Sequence, residues 1–200
     1  MMAVSEIVLA FPEPITPMRH IRSTLVLGGI ESLRSAGLYD RYVATVAPRV
    51  REEIEAAVAG MWIPIETGVE HYLACDQLGL SSESAAQLGR GTFDRTKGLL
   101  LGTAIGLARG AGVTPWSFVP HLQRFWLRGM DGGGVQAVKI GPKEARLDVV
   151  ATPVLRSQYF RAALRGLTCA LFELVSRKVY VHEVPGGGAA TAIALRAQWV

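Results

Sequence analysis

The chain has 200 residues, 50% of them hydrophobic and 19% charged, which excludes a disordered polymer and supplies enough apolar side chain for a core without disulfides. Its 21 basic and 17 acidic residues leave a formal charge of +4, and no run of like charges forms a nucleic-acid arm. Two distant cysteines, Cys75 and Cys169, share no metal-binding spacing and predict a reducing, cytoplasmic setting.

The opening Met-Met-Ala-Val-Ser-Glu lacks a basic stretch followed by a long apolar one, so no signal peptide is expected. Val4 to Ala10 predicts a short strand. Pro12, Pro14 and Pro17, each without a backbone donor, predict an irregular connector over Phe11 to His20. Leu25, Leu27, Ile30 and Leu33 then recur at near-helical spacing up to Gly37, a natural stop. Gly37-Leu38-Tyr39-Asp40 opens a second helix running to Val46, and Pro48 suits the first turn of a third over Arg49 to Ala59. Gly60-Met61-Trp62-Ile63 breaks the run, after which Pro64 begins a helix towards Gly79. Ser81 or Ser82 caps a long helix from about Glu83 to Arg109, whose apolar stretch Gly98 to Ala108 is too short to cross a membrane. Thr114 and Pro115 start another through about Arg128, and the helical part ends at Gly129.

From Gly132 the period changes to two: Ala145, Leu147, Val149 and Ala151 alternate with Glu144, Arg146 and Asp148. Val135 to Ile140 and Glu144 to Thr152 predict an antiparallel hairpin about Gly141-Pro142-Lys143. A helix over Leu155 to Val175, a strand over Arg177 to Val184 and a last strand over Ala190 to Trp199 complete the chain. The order predicts one α+β domain over 1–200. Its helical block at 21–129 packs on a four-stranded antiparallel sheet that, with one crossover helix, occupies 130–200.

Catalytic signatures are missing: the chain has no HExxH, phosphate loop, dinucleotide fingerprint or nucleophile elbow. His20, His71, His121 and His182 include no i, i+4 pair, so a metal site would have to be assembled by tertiary contact and none is expected. Gly98, Gly102 and Gly106 leave one stripe of the long helix nearly bare, which asks for a close neighbour: a packed helix or sheet, an apolar ligand, or a second subunit. Trp62, Trp116 and Trp126 are core aromatics in the plain reading and pocket walls in the sharper one.

The turn Gly37-Leu38-Tyr39-Asp40-Arg41-Tyr42, Trp62-Ile63-Pro64, Leu88-Gly89-Arg90 and the terminal Gln198-Trp199 together resemble an uncharacterised family of similar length with many myxobacterial paralogues. That family looks like a branch of the ligand-binding fold shared by haem nitric oxide binding domains, 4-vinyl reductase domains and Golgi-transport tethering subunits. The resemblance implies a helical block followed by an antiparallel sheet with a crossover helix, suited to holding a small apolar molecule or a partner. Haem-binding members use a Tyr-x-Ser-x-Arg motif with a proximal histidine; the motif does not occur here, so haem is not expected and the cofactor is left open.

The function expected is a non-catalytic sensory or adaptor domain that binds a small apolar ligand or a protein partner, with self-association into a homo-oligomer and neither nucleic acid nor a membrane span. The alternative is an enzyme whose active site is assembled from distant segments. A ligand would lie between helical block and sheet, enclosed by the long helix, the Trp116 to Trp126 helix and the Leu155 to Val175 helix. Trp62, His71, Gly102, Trp116, His121 and Cys169 are the candidate lining residues; no catalytic residue is assigned.

Overall fold

Apolar periodicity decides the first helices. In the computed structural model, which describes residues 6–101 and 114–200, α1 (Ser23–Ser35) buries Leu25, Val26, Ile30 and Leu33 along one face. The short α2 (Tyr39–Thr45) and α3 (Pro48–Glu55) follow, the latter with Pro48 in its first turn, where a missing donor costs nothing. Next come α4 (Ile65–Asp76) and α5, described over Ser82–Leu101. Ser81 caps α5, its Oγ accepting from the Ser84 amide at 3.1 Å.

The helix expected from Pro115 to Arg128 is three pieces: α6 (Pro115–Phe118), a 3-10 turn at Val119–His121, and α7 (Leu122–Gly129). Pro120 has no N–H to offer the preceding turn, so the ladder is interrupted there. The crossover helix α8 (Gln158–Glu173) is preceded by a 3-10 turn at Pro153–Arg156. Its first turn is capped twice. Ser157 Oγ accepts from the Phe160 amide at 3.0 Å, and Asp76, from the end of α4, accepts from the Tyr159 amide at 2.6 Å, the Gln158 amide at 3.3 Å and Ser157 Oγ at 2.9 Å. A carboxylate suits this place because the first-turn amides are otherwise unpaired and the helix dipole is positive there.

The α+β class holds, but the expected four-stranded sheet is corrected to five strands with a second, three-stranded sheet beside it. The strands are β1 (Glu6–Leu9), β2 (His20–Arg22), β3 (Trp62–Pro64), β4 (Met130–Asp131), β5 (Gly134–Gly141), β6 (Glu144–Val150), β7 (Val179–Glu183) and β8 (Ile193–Trp199). The larger sheet runs β1-β5-β6-β8-β7 and the smaller β3-β2-β4; every pairing is antiparallel. β1 is the added edge, with Glu6 opposite Lys139 and Ile7 opposite Val138. The small sheet escapes a reading by period because strands of two or three residues cannot show one.

Alternation then sorts the five-stranded sheet into faces. Val135, Ala145, Leu147, Val149, Val181, Leu195 and Ala197 are buried, while Arg146, His182 and Arg196 are exposed. Across the core, α5 and α8 cross at glycines. A Cβ on Gly89 would stand 2.6 Å from Ala163 Cα, and one on Gly166 2.6 Å from the Ala86 carbonyl carbon. Each helix thus lays a bare stretch against the other's backbone. Gly98 does not take part: it is exposed, and no described atom lies within 4 Å of where its Cβ would be. Gly102 and Gly106 lie outside the described residues. No helix among the described residues is long and apolar enough to cross a membrane.

Candidate functional site

A cavity of about 130 Å³ lies between the helices and the inner face of the larger sheet. Its walls come from α5 (Gly89, Thr92, Phe93), α7 (Leu122, Phe125, Trp126) and α8 (Tyr159, Phe160, Ala163, Leu164, Leu167, Leu171), and its floor from Val135, Leu147, Val149 and Leu195. Tyr72 of α4 and Met130 of β4 complete one side. The α8 wall follows from spacing: 159, 163, 167 and 171, with 160 and 164 beside them, form one helical stripe. The volume is close to the ~150 Å³ of an apolar cavity that stays dry and takes up benzene.

The wall is carbon with few polar atoms, and most of those are spent on the protein. Trp126 Nε1 donates to the Gly132 carbonyl at 2.9 Å, Thr92 Oγ1 to the Leu88 carbonyl at 3.0 Å, and Thr168 Oγ1 to the Leu164 carbonyl at 2.8 Å. The wall includes no charged side chain among the described residues. Tyr72 and Tyr159 also line the cavity. Each is 6% exposed, their rings stack at 6.3 Å, and neither hydroxyl is hydrogen-bonded to a described residue. Neither is sealed in, because Ser176 Oγ is the fully enclosed side-chain polar atom without a partner among the described residues. Burial pushes both phenols above their ordinary pKa, so both keep their protons.

The cavity lies between helices and sheet, but the described candidates from the sequence stand outside its wall. His71 is buried in α4, its Nδ1 2.7 Å from the Tyr42 hydroxyl, and burial pushes its pKa down to about 3. Cys169 is buried on α8 with Arg90 Nη2 2.6 Å from its Sγ, and burial pushes the thiol up to about 11. Arg90 also pairs with Glu173, so the thiol belongs to a structural cluster joining α5 and α8. His121 is exposed, with its ring 6.5 Å from Phe125. Trp116 donates Nε1 to the Pro142 carbonyl at 2.7 Å and meets the Trp199 ring edge-on at 4.9 Å. Trp62 is 37% exposed under the Arg22 guanidinium, 3.8 Å from its ring centre. Gly102 lies outside the described residues.

Three of these candidates are next to a wall residue in the chain: His71 beside Tyr72, His121 beside Leu122, Cys169 beside Thr168. Successive helical residues are turned about 100° apart, so the nominated chemistry faces another way. The signal that marks the wall is the uninterrupted apolar stripe of α8.

No family model matches the sequence, and no curated protein matches it. Solved structures do. An H-NOX domain of T. Tengcongensis superposes with a TM-score of 0.57 at 16% identity, covering 90% of this chain and 97% of that one. An oxygen-binding H-NOX domain related to soluble guanylate cyclases, in its oxygen complex, gives 0.55 at 14%, covering 90% and 95%. A structure used to probe heme distortion in the H-NOX family gives 0.55 at 16%, again covering 90% and 95%.

The chain has the haem-NO-binding fold. The resemblance drawn from short sequence motifs therefore stands at the level of fold. The expectation against haem is corrected: it rested on one missing motif, whereas the structural neighbours are H-NOX domains, among them one studied for heme distortion. Met130, Tyr72 and Tyr159 are the residues of the cavity's described wall whose side chains are of a kind that ligates haem iron. That wall offers no cation for propionates, and a benzene-sized space does not hold a porphyrin with the walls where they stand.

Proposed function

We propose that this protein is a non-catalytic sensory domain that takes a small ligand into the cavity between α5, α7, α8 and the five-stranded sheet. The observation that carries the reading is the cavity itself: a carbon-lined space at the junction of helical block and sheet. Dense interiors rarely keep such voids without use. The fold supports the reading, since structural neighbours with this architecture include an oxygen-binding domain. Haem is a candidate occupant on the same ground, and it would require the walls to part. A single domain over the whole chain, a cytoplasmic setting and self-association complete the proposal.

Native mass spectrometry of the purified protein, with its visible spectrum before and after hemin addition, tests it. The expected result is a bound small molecule, or a Soret band on hemin addition, that is lost in Val149→Phe, a change that fills the floor of the cavity. Parent protein that retains no small molecule, takes up neither hemin nor benzene, and unfolds at the same temperature with or without them would overturn it.

A further inference from the structure

Between the end of α3 and the end of β3 the chain turns an apolar loop to the outside. Ala56, Val58, Ala59, Met61, Trp62 and Pro64 are exposed on it, Val58 at 67% and Met61 at 51%. From Ala56 to Pro64 there is no charged side chain and no hydrogen-bonding one except the Trp62 indole. Surface connections are ordinarily polar, and a run of exposed apolar residues is a fault unless it is used. This loop is also held in place. The Val58 carbonyl accepts from Ser23 Oγ at 2.8 Å, that of Met61 from the Ser23 amide at 2.8 Å and that of Gly60 from Arg22 Nη1 at 2.5 Å. At Gly60 no described atom lies within 4 Å of where a Cβ would be, so the tip stands clear and walls no groove. Charge gathers at its base. The Arg22 guanidinium lies 3.8 Å from the Trp62 ring centre and donates to the Gly60 and Arg128 carbonyls, but it meets no carboxylate among the described residues, so its charge is not neutralised. Asp131 is engaged by Arg19 and His20. On the α3 side Glu53 is engaged by Arg49 and Thr67, and Glu55 by Arg51 and Tyr39, which leaves Glu52.

We propose that this loop docks the protein on the surface of an anionic lipid bilayer, with Val58, Ala59 and Met61 entering the apolar boundary and Trp62, stacked under Arg22, at the level of the headgroups. A convex apolar tip needs a matching pocket on a protein partner but none on a bilayer, whose hydrocarbon begins just beneath the headgroups. Tryptophan favours that boundary, its ring amphipathic, and an arginine without a carboxylate partner gains from anionic lipid beside it. The contact is peripheral and asks for no spanning helix. It gives a use to Trp62, which stands outside the cavity, and it holds whatever the cavity takes up.

The test uses the full chain with vesicles of phosphatidylcholine alone and with about 30% phosphatidylserine added. Cosedimentation is expected with the anionic vesicles and not with the neutral ones, and it should weaken as salt rises. Tryptophan emission should shift to the blue on binding, a change lost in Trp62→Phe. The double variant Val58→Asp/Met61→Asp should bind at least about tenfold more weakly, and Ala59→Leu several-fold more tightly. Both should melt with the parent, because these side chains are exposed; should the double variant melt lower, Ala59→Leu decides. No binding of the parent to anionic vesicles, equal binding to the two kinds of vesicle, or binding that neither variant changes would overturn the proposal. A parent that ignores vesicles but forms a dimer dispersed by Val58→Asp/Met61→Asp would give the loop to a second copy and overturn it as well.

Discussion

Replacing Gly166 by alanine adds one methyl group where α8 lies on the backbone of α5. That methyl carbon would stand 2.6 Å from the Ala86 carbonyl carbon, whereas carbon atoms pack at about 3.5–4.0 Å. The two helices must therefore part by about 1 Å at the crossing, and no rotamer change relieves the clash because the obstacle is main chain. Overpacking of this kind costs about 1–3 kcal/mol, partly offset by the ~1 kcal/mol that alanine gains over glycine inside a helix. A net loss of about 1 kcal/mol is expected, which for a chain of this size is a fall in Tm of roughly 2–4 °C. Gly89→Ala meets the Ala163 backbone in the same way and should cost about as much. The double variant should lose less than the sum, since one separation of the helices relieves both clashes. Gly98→Ala is the control: with no described neighbour within 4 Å, it should show the propensity gain alone, up to about 1 kcal/mol. Urea unfolding of the four proteins measures these differences. Gly166→Ala as stable as the parent would refute the reasoning.

Two further outcomes are expected. His71, neutral when folded with its pKa pushed down to about 3 by burial, binds no proton in the native state while the unfolded chain does so below about pH 6.5. Stability should therefore fall as pH drops from about 6.5 towards 3, by about 2 kcal/mol between pH 6.5 and 5, and His71→Gln should flatten that part of the urea-midpoint profile; an unchanged slope would exclude His71 as its source. Asp76→Ala strips the Gln158 and Tyr159 amides at the start of α8 of their acceptor, while the Ser157 hydroxyl keeps the Tyr72 carbonyl, and should cost about 1–2 kcal/mol, whereas Asp76→Asn should keep part of that; a neutral Asp76→Ala would show that Ser157 caps the helix alone.

Local chemistry was legible and distant pairing was not. Pro48, Pro64 and Pro115 marked helix starts, Ser81 a cap, and the alternation at Ala145 to Val149 a half-buried strand, because each depends on neighbours in the chain. The strand at Val4 to Ala10 was legible, but its place as the fifth strand of the sheet was not, because Glu6 and Ile7 find partners only in the distant Lys139 and Val138. The glycines make the same point. Gly98 drew notice for its place in a regular stripe, yet the close crossing uses Gly89 and Gly166, whose importance depends on how two helices meet. For the site, the enclosing elements could be reasoned from fold class, but the residues were sought among histidines, tryptophans and a thiol. The wall instead comes from the plain apolar stripe of α8 and from Tyr72 and Tyr159, which periodicity places on a buried face.

The edge position of β1 sets an order of events during synthesis. Its partner strand β5 leaves the ribosome only after the whole helical block, so the first described strand must wait while α1 to α5 collapse on one another. Until it docks, β5 presents an open row of amides and carbonyls to any passing strand, the exposure that leads sheets to pair with the wrong chain. Contacts so far apart in sequence also form slowly, because the loop they close must first give up its freedom. Amino-terminal fusions or truncations that hinder β1 should thus harm the yield of soluble protein more than the stability of molecules that have already folded.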